Sequence, residues 1–379
     1  MMICAGEEKM VGDVTFRRDA VSNRCKLIPH TTMKRTFFTL ILVMAAIVAG
    51  AATITPSKTY ITQTLRIGSF TALRTNTAID IEYTVGPQSV KLYAPDNLIN
   101  YIKVSLSGGE LQVSYKENMN IKGSHKSKLI VSAPKVLTFT VASAGDIKIK
   151  SNIKQTGNTV SLNTLSAGDI EAMNIEAKEV TCTTSSAGDI ELSDLTATTV
   201  KLYANSAGDI KVRTLKARKD AHCYANSAGD ISITTLYAGE EADIYANSAG
   251  DVKVQKLSAP DVSANTNSAG DVRISDIEAN EVTAGSLSTG TVTVSGITDK
   301  ATLISSSTGD VKASGLKALS VNATVHSSGT ITCYPIQVLE GVCYSRNGEI
   351  RYAHKPNTIT KKNHTYEDEA RGDGGIRAL

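Results

Sequence analysis

From residue 145 onward the chain alternates apolar and polar positions in short bursts, and the bursts recur at a nearly fixed interval. Ser-Ala-Gly-Asp followed by Ile or Val occurs seven times, with its glycine at 145, 168, 188, 208, 229, 250 and 270. Looser copies follow at Gly290, Gly309, Gly329 and Gly348, and successive glycines are 19 to 23 residues apart. Two residues after each glycine stands Ile or Val, as at Ile190, Ile210, Ile231 and Val252. Four residues after it the chain is usually apolar again (Leu192, Val212, Ile233, Val254), with a polar residue between. Such alternation is that of a strand with one face turned inward. Seven residues on, Leu195, Leu215, Leu236, Leu257, Ile277, Ile297 and Leu316 are predicted to anchor a corner. A second alternating strand then precedes the next glycine, with Val200, Leu202 and Ala204 inward in one coil and Ala242, Ile244 and Ala246 in another.

No helical 3.6-residue period persists, and one unit has too little apolar surface to fold alone. The units must therefore stack, as solenoid repeats do. The fold predicted is all-β, a right-handed single-stranded parallel β-helix with about 20 residues per coil, its handedness following from the crossover rule. Stacked strands lie about 4.8 Å apart, so eleven glycine corners span roughly 50 Å. Glycine at the corner permits positive φ and lets the backbones of adjacent coils approach. The neighbouring Asp and Ser side chains can hold the turn by local hydrogen bonds. Asn205, Asn226, Asn247 and Asn267 fall in one column and are predicted to form an amide ladder.

Composition agrees with thin, stacked cores: aromatic residues make up only 5% of the 379, and Trp is absent. Small and β-branched side chains have to fill the interior. The formal charge is +3, but residues 1–51 hold seven Lys+Arg against four Asp+Glu, leaving 33 of each beyond them. A neutral chain gives no electrostatic reason to expect nucleic acid or anionic lipid as a partner. The six cysteines form no CxxC pair, and the six histidines are scattered. Cys182 and Cys223 share an inward column two coils apart, too far for a disulfide, so both are expected as buried thiols. Cys333 and Cys343 could pair only if the last coil brings them together.

Met33-Lys34-Arg35, the apolar run Phe37 to Val48 and the small residues Ala49-Gly50-Ala51 read as a signal peptide over 33–51. The run is too short for a comfortable membrane span, so the mature chain is expected to carry no transmembrane segment and to be exported. Residues 1–32 then read as an upstream extension that is not part of the protein, and 52–64 as a linker. Residues 65–135 alternate without the clean period and are expected to form irregular first coils or a β-cap. The repeats cover 136–354, and 355–379 is expected to be a polar, disordered tail. Arg371-Gly372-Asp373 within it reads as a chance tripeptide.

Ser69-Phe70 through Ile81, Ser89-Val90-Lys91-Leu92, Pro95-Asp96-Asn97-Leu98 and Gly109-Glu110-Leu111, leading into the Ser-Ala-Gly-Asp-Ile units, resemble the head GIN domain family. That family is described as putative auto-transporter adhesins of Bacteroides-like bacteria, and the resemblance covers about residues 65–350. It implies an exported β-helix and surface adhesion, and it brings no catalytic residues. An auto-transporter needs a C-terminal membrane barrel. Only 29 residues follow Ile350, so a passenger-like part is expected.

Coil lengths of 19 to 23 leave no room for the long loops that build clefts in β-helix enzymes, and no Ser/His/Asp or Cys/His set stands out. The function expected is therefore a non-enzymatic recognition or adhesin-like module meeting a cell-surface glycan or protein. A purely structural envelope protein and a glycan-acting enzyme are the alternatives. No cofactor is expected. Two features could bind something: Tyr203, Tyr224 and Tyr245 form an outward aromatic column suited to a sugar. Asp169, Glu171, Asp189 and Glu191 form a two-by-two carboxylate patch that could hold calcium weakly. The plainer readings, a structural stack and a solvated acidic face, outweigh both.

Overall fold

The computed structural model describes residues 52–363 and 375–379. The signal segment, the upstream extension and the Arg371-Gly372-Asp373 tripeptide lie outside the described residues. Alternation in the repeats becomes two strands per coil, each hydrogen-bonded in parallel to its equivalents one coil away. Successive inward positions therefore align into columns. One column runs through Leu129, Ile81, Ile147, Ile170, Ile190, Ile210, Ile231, Val252, Val272, Val292, Val311, Ile331, Ile350 and Ile376 in unbroken register. All are buried. Each fully buried Ile or Leu contributes about 1.5–3 kcal/mol, and only stacking excludes water from both its edges. The chain is thus a parallel β-solenoid of about 11 turns. No helix among the described residues is long and apolar enough to cross a membrane.

Residues 65–135 hold parallel coil strands and, beyond them, an antiparallel cap, which also takes in Tyr60–Leu65 from the segment read as a linker. The strands Ala72–Thr75 and Asp80–Val85 form a coil beneath Thr138–Val141 and Ile147–Ile149. Beyond them lie Glu110–Tyr115 and Lys128–Ala133, paired in parallel. The antiparallel strands Tyr60–Leu65, Ser89–Pro95 and Ile102–Ser107 then cap that end. Within 355–379, expected as a disordered tail, two described stretches are strands. Thr358–Asn363 and Ile376–Ala378 pair with Thr330–Cys343 and Glu349–Tyr352, adding strands of a further coil. Ile376 supplies the inward residue there, and Glu349 forms ion pairs with both Arg351 and Arg377. These few residues were masked by the polar composition around them.

The corner has a different mechanism from the one that composition implies. None of the repeat glycines takes positive φ; the left-handed residues are Ser206, Ser227, Ser248 and Ser268, each directly after an Asn of the ladder. Glycine is required by close approach instead. A Cβ on Gly229 would lie 2.7 Å from the carbonyl oxygen of Gly208, and one on Gly250 equally close to that of Gly229. The carbonyl oxygens so exposed are bonded: Thr164 and Thr184, both buried, donate to Gly188 O and Gly208 O at 2.8 Å.

One corner anchor fails. Leu195, Leu215, Leu236, Leu257, Ile277 and Leu316 are buried, but Ile297 is 56% exposed. The coil is a residue short, the register shifts after Ile274, and Gly296 (φ +131°) takes the inward place opposite Ile277. Ile297 is thereby turned outward.

All four cysteines beyond residue 51 are free and buried. Leu202 stands between Cys182 and Cys223 in the column. Burial pushes the Cys182 and Cys333 thiols up to about 12. A protonated, inaccessible thiol is a poor nucleophile. Residues 52–379 are therefore expected to leave Ellman's reagent unreacted over an hour, with all four of their thiols reacting once guanidinium unfolds the protein.

Candidate ligand-binding face

Outward columns are the only chemistry a uniform solenoid can present, so the site is built column by column. The aspartate after each glycine has an internal task. Its Oδ1 accepts the backbone N–H of the aspartate one coil on, at 2.9 Å from Asp189 to Asp169 and from Asp209 to Asp189. The series begins at Asp80, in a coil that lacks the repeat motif, and extends to Asp271. Each bond is charge-assisted and repeats at every coil. The asparagine ladder also forms: Asn226 Nδ2 donates to Asn205 Oδ1 at 3.0 Å, and Asn247 and Asn267 continue it at 3.4 Å.

The acidic patch is distributed among such bonds. Glu171 and Glu191 are register neighbours, as expected. Lys148 Nζ, however, lies 2.9 Å from Glu171, and Lys211 bridges Asp189 and Asp209 at 3.5 and 3.4 Å. Asp169 and Asp189 each accept a backbone N–H. No three His, Cys, Asp or Glu side chains among the described residues converge as metal ligands. Glu171, Asp169 and Asp189 already have oxygens turned to lysines or the backbone, and the patch offers calcium no cage. Thermal melts in millimolar calcium and in chelator are expected to coincide; a calcium-dependent rise abolished by Glu171→Gln/Glu191→Gln would reinstate the site.

Tyr203, Tyr224 and Tyr245 are register neighbours on the strands before the glycine. The Tyr203 and Tyr224 rings stack at 5.6 Å between centroids and 8° between planes, while Tyr245 is tilted by 59°. His222 lies parallel to Tyr224, and the Tyr224 hydroxyl donates to Asp243. Burial, with Asp243 beside it, raises the Tyr224 pKa above its ordinary value. The Tyr203 and Tyr224 rings thus cover a face of one another. A sugar that stacks on an aromatic face needs that face free.

The face after the glycine is open. A groove of about 480 Å³ crosses four coils there, lined by Glu191, Ser193, Lys211, Arg213, Ser232 and Lys253 among others. A second of about 440 Å³, lined by Lys148, Lys150, Glu171 and Met173, adjoins it through Glu191 and Ser193. Its floor is strand backbone over the buried Leu192, Val212 and Ile233. The column three residues after the glycine runs along this face in unbroken register as Glu82, Lys148, Glu171, Glu191, Lys211, Ser232, Lys253, Arg273, Thr293, Lys312, Thr332 and Arg351. Its acids are confined to the portion before Lys211. The order of cations and acids at this position can be counted from the glycine in the sequence, whereas the grooves beside it cannot.

Fold and faces together define a repetitive β-solenoid with shallow, solvent-open grooves. The chain belongs to the family described as "Putative auto-transporter adhesin, head GIN domain", which it matches over residues 69–256 and 242–356. Among curated proteins nothing matches. It is similar to the crystal structure of a putative adhesin from Bacteroides fragilis, with 17% identity and a TM-score of 0.27 over 86% of this chain and all of that one. A putative lipid binding protein from Parabacteroides distasonis is similar at 17% identity and a TM-score of 0.29, with the same coverage. A putative adhesin from Parabacteroides merdae has 14% identity and a TM-score of 0.26, over 87% of this chain and all of that one. Likeness of that degree carries no statement about ligand or activity.

Proposed function

We propose that the protein is an exported, non-enzymatic recognition module that meets a cell-surface glycan or protein along its solenoid face. One observation carries this reading. The groove after the glycine is walled by side chains of successive coils in register, without an inserted loop, so it presents an extended polar surface rather than a closed cleft. A catalytic site gathers a few groups around one reacting atom and excludes water. A run of equivalent columns instead suits a long ligand held by many weak contacts. Membership of a family described as adhesins supports the same direction.

The test is a panel of glycans and matrix proteins probed with residues 52–379. Specific, saturable binding supports recognition. Uniform failure to bind favours a structural envelope role, and release of a product would establish an enzyme. N-terminal sequencing of the protein expressed in a Gram-negative host addresses export: processing next to Ala52 supports it, and an intact 1–51 on cytoplasmic protein contradicts it.

A further inference from the structure

We propose that the part of this face from Lys211 to Lys312 binds an extended anionic polysaccharide lying along the stacking direction, with carboxylate or sulfate groups on the lysine and arginine column. This rests on the recognition reading above and adds the ligand class. Every position of that column is a cation or a hydroxyl: Lys211, Ser232, Lys253, Arg273, Thr293 and Lys312. Lys211 and Lys253 are two coils apart, about 10 Å. That is about the length of a disaccharide, so from Lys211 to Lys253 an acidic sugar alternating with a neutral one would meet cation, hydroxyl and cation, and Arg273 adds a further cation on the next coil.

The aspartate line runs beside this column and has to be weighed against it. Lys211 pairs with Asp189 and Asp209, Lys253 with Asp251 at 3.3 Å, and Arg213 with Asp194 at 2.7 Å. Reach decides which charge a ligand meets first. The lysine and arginine side chains are 51–63% exposed, and their aspartate partners 31–39%. Most of these carboxylates are also tied back by a backbone N–H from the next coil, whereas the cations stand at the outer surface. Exposed ion pairs of this kind are weak, so a multivalent anion exchanges with them at small cost. Arg273 and Lys312 have no ion pair among the described residues and are exposed. The acidic part of the same column, Glu171 and Glu191, would repel the chain and so fix where it ends.

Single-stranded nucleic acid is the competing polyanion. Its binding surfaces combine cations with aromatic platforms for the bases. From Lys211 to Lys312 neither this column nor the one two residues on (Arg213, Thr234, Gln255, Ser275, Ser295, Ser314) holds an aromatic ring.

The experiment measures binding of residues 52–379 to polygalacturonate, dextran sulfate, neutral dextran and single-stranded DNA at two salt concentrations. Either acidic polysaccharide is expected to bind, more weakly at higher salt, with dextran and DNA at least tenfold weaker. Lys211→Gln/Lys253→Gln/Arg273→Gln is expected to cost about tenfold in affinity at an unchanged melting temperature. Lys216→Gln/Lys256→Gln/Lys317→Gln, with the same charge change outside the column, should cost little. Absence of binding to either acidic polysaccharide, equal binding of DNA, or equal loss in both triple variants overturns the proposal. Binding of neutral dextran alone also overturns it while leaving the recognition reading intact.

Discussion

Gly229→Val is expected to destabilise the solenoid by about 3 kcal/mol or more, while Ser227→Gly leaves stability unchanged or raises it by about 1 kcal/mol. The contrast separates the two reasons a corner can need glycine. Gly229 has ordinary φ, but its missing Cβ makes room for the Gly208 carbonyl 2.7 Å away, which is backbone and cannot swing aside. Ser227 sits at φ +61°, a left-handed conformation that disfavours any residue with a side chain. Residue preference alone would put glycine at the serine position. Thermal melts of the two variants decide the matter: a harmless Gly229→Val, or a damaging Ser227→Gly, would mean that the coils do not approach as described.

Deleting Asp209–Gly229 is expected to leave a cooperatively folding protein, and deleting Asp209–Arg218 is expected to abolish cooperative folding. The first removes one coil and joins Gly208 to Asp230, so Ile231 stacks on Ile190, and the Asp230 N–H meets the Asp189 carboxylate. In a solenoid that loss is close to one repeat and its interface. The second deletion puts the strand before the glycine where the strand after it belongs, so inward and outward positions no longer match across the sheet. Circular dichroism and thermal melts of both deletions distinguish the cases. Equal behaviour would count against one coil per repeat.

The fold was legible because the core is repetitive. Ile at two residues after the glycine and Leu at seven recur often enough to define the coil without knowledge of any contact, and the asparagine ladder followed from the same register. What stayed hidden was of three kinds. The Ile297 corner failed because a one-residue shortening is absorbed by a bulge at Gly296, and a count from the glycine cannot say where. The last coil was hidden because Thr358–Asn363 is mostly polar and only Ile376 marks the returning strand. On the candidate face the cation position could be counted from the glycine, as at Lys148, Lys211, Lys253 and Arg273, and what stayed hidden was that these side chains reach beyond the aspartate line. The tyrosine column and the acidic patch were visible in the sequence, but not which of their ring faces and oxygens are already engaged.

Disulfide trapping between successive coils tests the central claim, that residues three after each glycine are neighbours in one continuous column. Register places residue 211 beside residue 232. Strand spacing puts their Cα atoms about 5 Å apart, within disulfide range. Residue 253 lies one coil further, about 10 Å from 211, beyond that range. In residues 52–379 the four native thiols are buried and do not compete. Lys211→Cys/Ser232→Cys is expected to form an intramolecular disulfide under mild oxidation, and Lys211→Cys/Lys253→Cys to keep two free thiols. Efficient bonding of the second pair, or none in the first, would contradict the column and the face built on it.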